Sequence, residues 1–158
     1  MFYFYRFKIA KVMLKNDHKK IDILIVEDNP GDTRLIMEAL NERDIVTSHM
    51  VKDGVQAMDF LHKDSGYSQV PRPDLILLDL NLPKKDGREV LSEIKADEKL
   101  KKIPVVILTT SQAEEDILKS YNLHANCYIT KPLDYNQFVT VVRSIEDFWF
   151  SIVKLPVD

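Results

Sequence analysis

The chain has 158 residues, 45% hydrophobic and 30% charged, with a formal net charge of −3. That is room for one domain with a sizeable core, and the charge offers no general attraction to nucleic acid or anionic membranes. A single cysteine, Cys127, excludes an internal disulfide and a multi-cysteine zinc cage, and no unbroken apolar stretch is long enough to span a bilayer.

Residues 1–20 form an N-terminal extension. Met1-Phe2-Tyr3-Phe4-Tyr5 is aromatic, but Arg6, Lys8, Lys11 and Lys15 break it up and no small-residue cleavage site follows. A secretory signal is not expected on those grounds. A loosely ordered tail, or upstream sequence ahead of a start at Met13, is expected over a membrane-surface segment.

From Ile21 onward apolar runs alternate with helical patterns. Ile23, Leu24, Ile25 and Val26 make a continuous run, as in a strand covered on both faces. Asn29-Pro30 supplies a cap and a first-turn proline for a helix with Leu35, Ile36, Ala39 and Leu40 on its buried stripe. Residues 45–51 read as a second strand nearer an edge. Asp53-Gly54 opens a helix expected to bury Val55, Met58 and Leu61, and residues 63–73 are a breaker-rich loop.

Leu75 to Leu78 are apolar throughout and read as a central strand. Asp86-Gly87 leads into a helix with Val90, Leu91 and Ile94 on one face. Pro104 starts a fourth strand containing Val105, Val106, Ile107 and Leu108. Ser111-Gln112-Ala113-Glu114 fits a capping box ahead of Ile117, Leu118 and Tyr121. Residues 125–130 give a fifth strand, with Cys127 as a buried, inert thiol. Asp134 and Gln137 cap a last helix carrying Phe138, Val141, Val142 and Ile145. Five strands alternating with five helices imply an α/β fold with a doubly wound parallel sheet, in the order 2-1-3-4-5.

In such a sheet every carboxyl end opens on one edge, where ligands bind. Glu27-Asp28, Asp79, Thr109 and Lys131 each stand just past an apolar run, so they gather there. Carboxylates about 4 Å apart repel by about 4 kcal/mol per ionised pair at an effective dielectric near 20. Protonation or a bound cation relieves this, and oxygen ligands suit Mg²⁺. Asp28 and Asp79 are its natural direct ligands, with Glu27 direct or through water and the Asn81 carbonyl completing the set. His18, His49, His62 and His124 lie away from the cluster in sequence, so zinc is a poor alternative. A cation beside Lys131 and Thr109 makes a place for a phosphoryl group, with Asp79 as the nucleophile. The added charge could draw Thr109 inward and reorganise the loops. Taken singly, these residues read as helix caps, turn starts or a solvated lysine. Convergence at four strand ends is what rejects that.

The chain resembles the receiver domain of two-component response regulators, over about residues 21–150, with 151–158 as a tail. The resemblance rests on Val26-Glu27-Asp28, Leu78-Asp79-Leu80-Asn81-Leu82-Pro83 with Asp86-Gly87, Leu108-Thr109-Thr110-Ser111, and Tyr128-Ile129-Thr130-Lys131-Pro132. It implies a flavodoxin-like fold, Asp79 as phosphoacceptor and Glu27 and Asp28 as the acidic pair. It further implies Thr109 as switch hydroxyl, Lys131 as phosphate partner, a cis Lys131-Pro132 peptide and Tyr128 as an aromatic rotamer switch. Thr110 departs from the pattern, since many receivers carry a smaller residue there, which bears on access to the phosphate.

The long loop at 63–73, the 73–91 stretch and the Phe148-Trp149-Phe150 end look like cyanobacterial phytochrome response regulators. That implies a light-regulated histidine kinase as phosphodonor. A cytoplasmic phospho-switch is expected, not an enzyme, with no DNA or membrane partner and output through protein contacts. A homodimer through the aromatic C-terminal segment is one such contact; folding back onto the core is the other fate of that segment. Two rivals are a haloacid-dehalogenase-type phosphatase and a receiver that only binds. The first places Asp-x-Asp after its first strand, whereas Asp79-x-Asn81 follows the third; the complete site argues against the second.

Overall fold

The structure, a computed structural model, describes residues 20–41, 44–110, 125 and 127–149. Within them run β1 (Ile21–Val26), α1 (Pro30–Asn41), β2 (Val46–Val51), α2 (Gly54–His62), β3 (Leu75–Leu78), α3 (Gly87–Ala96), β4 (Val105–Thr109), β5 (Cys127–Thr130) and α4 (Tyr135–Asp147). The helix expected behind Ser111, with Ile117, Leu118 and Tyr121, lies outside the described residues, as do Phe150 and nearly all of the two expected tails. The five strands form one parallel sheet in the order β2-β1-β3-β4-β5, as expected.

The apolar runs are continuous because each strand faces two cores. Leu24, Val26, Ile76, Leu78, Val105 and Ile107 pack with α2 and α3; Ile23, Ile25, Leu75, Leu77, Val106 and Leu108 pack with α1 and α4. Each fully buried Leu, Ile or Val contributes about 1.5–3 kcal/mol relative to exposure. With no polar face to alternate, register is set by helix packing on both sides.

Local signals account for the helix starts. Asn29 Oδ1 accepts from the Asp32 amide at 3.0 Å, and Asp53 Oδ1 from the Gln56 amide at 2.8 Å. Asp86 and Glu89 form a reciprocal capping box, and Asp134 accepts from the Gln137 amide at 3.0 Å.

Some boundaries and faces differ from the sequence expectation. Val55 is exposed, because Gly54, Ala57, Met58 and Leu61 define the buried stripe and Val55 lies about 100° off it. Gly54 fills that position for steric reasons: a Cβ there would stand 2.0 Å from the Lys85 carbonyl oxygen. β2 and β5 begin at Val46 and Cys127, one and two residues later than expected. Val141 is partly buried, and Cys127 is half-buried with burial pushing its thiol pKa up. The Lys131–Pro132 peptide is trans, since no cis bond occurs among the described residues. Local energetics favour trans by about 0.5–1 kcal/mol.

Gly87 packs scaffold directly against the site. A Cβ there would meet the Asp79 carbonyl oxygen at 2.3 Å and the Leu80 Cα at 2.6 Å. Backbone cannot yield as a flexible side chain does, so Gly87→Ala is expected to cost about 1–3 kcal/mol. The urea midpoint should fall accordingly; an unchanged midpoint would show that the β3–α3 loop adapts freely.

Candidate functional site

Main-chain bonds carry the ladder pattern past the strand ends and fix where the polar residues emerge. The Glu27 amide donates to the Val51 carbonyl at 3.1 Å, Asp79 to Val26 at 3.0 Å, and Lys131 to Thr109 at 2.8 Å. Val26 stands opposite Leu78, and Thr109 opposite Thr130. Residues 27, 79, 109 and 131 therefore share the carboxyl edge, at the ends of the neighbouring strands β1, β3, β4 and β5.

Glu27, Asp79, Thr109 and Lys131 are all buried, while Asp28 is exposed. Oxygen atoms of Glu27, Asp28 and Asp79 lie within 4.8 Å of one another. The Lys131 ammonium donates to Glu27 Oε2, to Asp79 Oδ2 at 3.0 Å and to Asp32 Oδ2 at 2.9 Å. Its three protons are thus all engaged by carboxylates.

The surrounding backbone orients these groups. The Asn81 amide donates to Asp79 Oδ1 at 3.0 Å, and the Asn29 amide to Glu27 Oε1 at 3.1 Å. Asn81 Nδ2 donates weakly to Thr109 Oγ1 at 3.4 Å, linking the acceptor loop to the end of β4. Lys84, in the left-handed region at φ 64°, reaches Asp53 Oδ2 at 3.4 Å and ties the same loop to α2.

Crowding leaves its mark on the titrations. Burial pushes the Glu27 carboxyl up to about 7, with the Asp79 charge adding to this and Lys131 opposing it. For Lys131, burial alone would lower the pKa, but the Glu27 and Asp32 hydrogen bonds and the Asp79 charge outweigh it and hold the ammonium above the ordinary lysine range.

The donor set tests which cation would fit. Glu27, Asp28 and Asp79 offer only hard carboxylate oxygens, and no histidine joins the group among the described residues. His49 is engaged with Asp22 at 2.9 Å. Such a set suits Mg²⁺ or Mn²⁺ and not zinc. A cation must displace the Glu27 proton below its pKa, so apparent Mg²⁺ affinity should rise by up to roughly tenfold between pH 6 and pH 8, with proton release. Calorimetry in buffers of different ionisation heat counts those protons; none released would remove Glu27 from the ligand set.

Every site residue expected from the sequence reaches this edge, with Asn81 contributing amide and side-chain bonds. Asp32 was not anticipated. It lies in the first turn of α1, where an aspartate is ordinary helix-start chemistry, so its sequence position alone gives no signal of this contact. Trp149 packs into the α1–α4 core while Phe148 is half-exposed, their rings edge to face with centroids 5.3 Å apart. Trp149 thus folds back onto the core, as one of the two expectations has it.

Comparison with known proteins agrees with the geometry. The chain is 52% identical over 135 residues to the response regulator Rcp1 of Synechocystis sp., covering 85% of this chain and 92% of Rcp1. It is 43% identical over 138 residues to the probable methanogenesis regulatory protein FilR2 of Methanothrix harundinacea, covering 85% and 86%. Among solved structures, the phosphorylated cyanobacterial phytochrome response regulator RcpA superposes with a TM-score of 0.85 at 53% identity, covering 87% of this chain and 99% of that one. The Mn²⁺-bound form of Rcp1 gives 0.83 at 51% identity, with the same coverages. The response regulator receiver domain model matches residues 23–143, and the chain belongs to that family.

Proposed function

We propose that this chain is a phospho-switch that accepts a phosphoryl group on Asp79 from a phosphorylated histidine kinase, a phytochrome kinase of the cyanobacterial type. The observation that carries the reading is Asp79 itself: a buried carboxylate at the central strand end, oriented by the Asn81 amide and touched by the Lys131 ammonium. In the transfer, an Asp79 oxygen forms a bond to phosphorus as the phosphorus–nitrogen bond of phosphohistidine breaks, and the freed imidazole takes up a proton. Hydrolysis returns the carboxylate and inorganic phosphate.

Glu27, Asp28 and Asp79, with the Asn81 carbonyl, would hold Mg²⁺. When bound, the ion supplies positive charge against the phosphoryl oxygens. Lys131 supplies the second cation and Thr109 a hydroxyl donor. Thr109, buried at the end of β4, and the half-buried Tyr128 on β5 would carry the change outward. We read the chain as a stoichiometric cytoplasmic switch and not a turnover enzyme. Output would pass through protein contacts, either to a partner or to a second copy through the segment around the half-exposed Phe148. The relatives named Rcp1 and RcpA, one Mn²⁺-bound and the other phosphorylated, support the reading.

Intact mass after incubation with Mg²⁺ and acetyl phosphate, and separately with a phosphorylated histidine kinase, is the test. One labile phosphoryl adduct that needs Mg²⁺ is expected. No adduct from either donor would leave the binding-module reading in front.

A further inference from the structure

Three carboxylates hold the Lys131 ammonium, Glu27, Asp32 and Asp79, and only two of these belong to the converging cation set. Glu27, Asp28 and Asp79 are mutually within 4.8 Å, and Asp32 stands outside that group. Asp32 nevertheless binds Lys131 Nζ at 2.9 Å, closer than Asp79 does at 3.0 Å. Its side chain is 27% exposed against 3% for Lys131, and it sits in the first turn of α1, where its amide is capped by Asn29. A negative charge is favoured there by the unpaired amides of the helix start. The helix start therefore favours the charge of this carboxylate whether or not a divalent cation is bound.

Lysine has three protons to donate, and all three are in use. For Lys131 to meet a phosphoryl oxygen on Asp79, one carboxylate must release it. A divalent cation held by Glu27, Asp28 and Asp79 would offset the charge of Glu27 and Asp79 and weaken their hold on the ammonium. Asp32 is not in the converging set, so its bond to Lys131 would not be offset in the same way.

Building on the acceptor reading, we propose that Asp32 is a positioning residue that retains the Lys131 ammonium beside the acceptor and competes with the phosphoryl group for it. Asp32 thereby sets how firmly the phosphorylated state is held. Neutralising Asp32 frees Lys131 for the phosphoryl group, and a role confined to stabilising α1 would not do this.

The test uses trifluoroberyllate, a phosphoryl mimic, titrated into the full chain at saturating Mg²⁺. Asp32→Asn should bind it roughly fivefold more tightly than wild type. In the Mg²⁺-loaded protein without the mimic, the Lys131 ammonium nitrogen resonance should also shift in the variant. If Asp32→Asn lowers the unfolding midpoint, Asp32→Ser carries the same two expectations. Unchanged or weaker binding, or an unmoved ammonium resonance, overturns the proposal while leaving the acceptor reading intact. Failure of the wild-type protein to bind the mimic at all, with Mg²⁺ present, overturns both.

Discussion

Asp79→Asn is expected to abolish the phosphoryl adduct altogether, whichever donor is used. Amide nitrogen and oxygen cannot replace the carboxylate as an acceptor at neutral pH, and no other carboxylate of the site has Asp79's setting. Asp28 is exposed, and Glu27 is pushed up to about 7, so part of its population is protonated and poorly nucleophilic. The same change removes one of three converging carboxylates, so Mg²⁺ affinity should fall by about tenfold or more, equivalent to ~1.4 kcal/mol. Intact mass and Mg²⁺ titration on the same sample read both effects. An adduct that survives Asp79→Asn would place the acceptor elsewhere and leave Asp79 as a cation ligand only.

The same chemistry explains what could be read from the residues alone. A parallel sheet buried on both faces has a plain signature, since runs such as Ile23 to Val26 and Leu75 to Leu78 admit no solvent face. Once direction is common to all strands, residue 27, 79, 109 or 131 needs only its place after a run to be located. Asp32 carried no such marker. Its meaning depends on Lys131, 99 positions away, and a lone aspartate in a first helical turn is ordinary capping chemistry. Val55 failed for a similar reason: the stripe of α2 is set by the close approach of Gly54 to the Lys85 carbonyl, which hydrophobicity does not record. The trans Lys131–Pro132 bond departs from what the family resemblance implied; the motif residues are all present, but their backbone isomer is not written in their identities.

Lys131→Met should expose how far the site depends on its own cation. Methionine matches the stem and removes the charge, leaving the buried Glu27 and Asp79 facing each other with Asp32 and Asp28 nearby. Breaking a buried ion pair from one side typically costs about 3–5 kcal/mol, and a loss in that range is expected at pH 8 without divalent cation. The pH dependence follows from Glu27. Its folded pKa, about 7, already lies above the ordinary value of 4.5, and losing the Lys131 hydrogen bond and charge raises it further. A carboxyl that binds its proton more tightly when folded stabilises the fold fully below the unfolded pKa, and that contribution is lost as pH rises through the folded one. The gap between variant and wild type should therefore be small near pH 5 and widest at pH 8. Mg²⁺ should close it, because an ion that binds only the folded state adds about 2.7 kcal/mol at a hundredfold excess over its Kd. It should also shift the variant more than wild type, where the ammonium competes for the same oxygens. Urea unfolding at the two pH values, with and without Mg²⁺, measures all of this. A penalty independent of pH and of Mg²⁺ would mean that the carboxylates turn out to solvent when Lys131 is gone, and that the ammonium does not hold the cluster together.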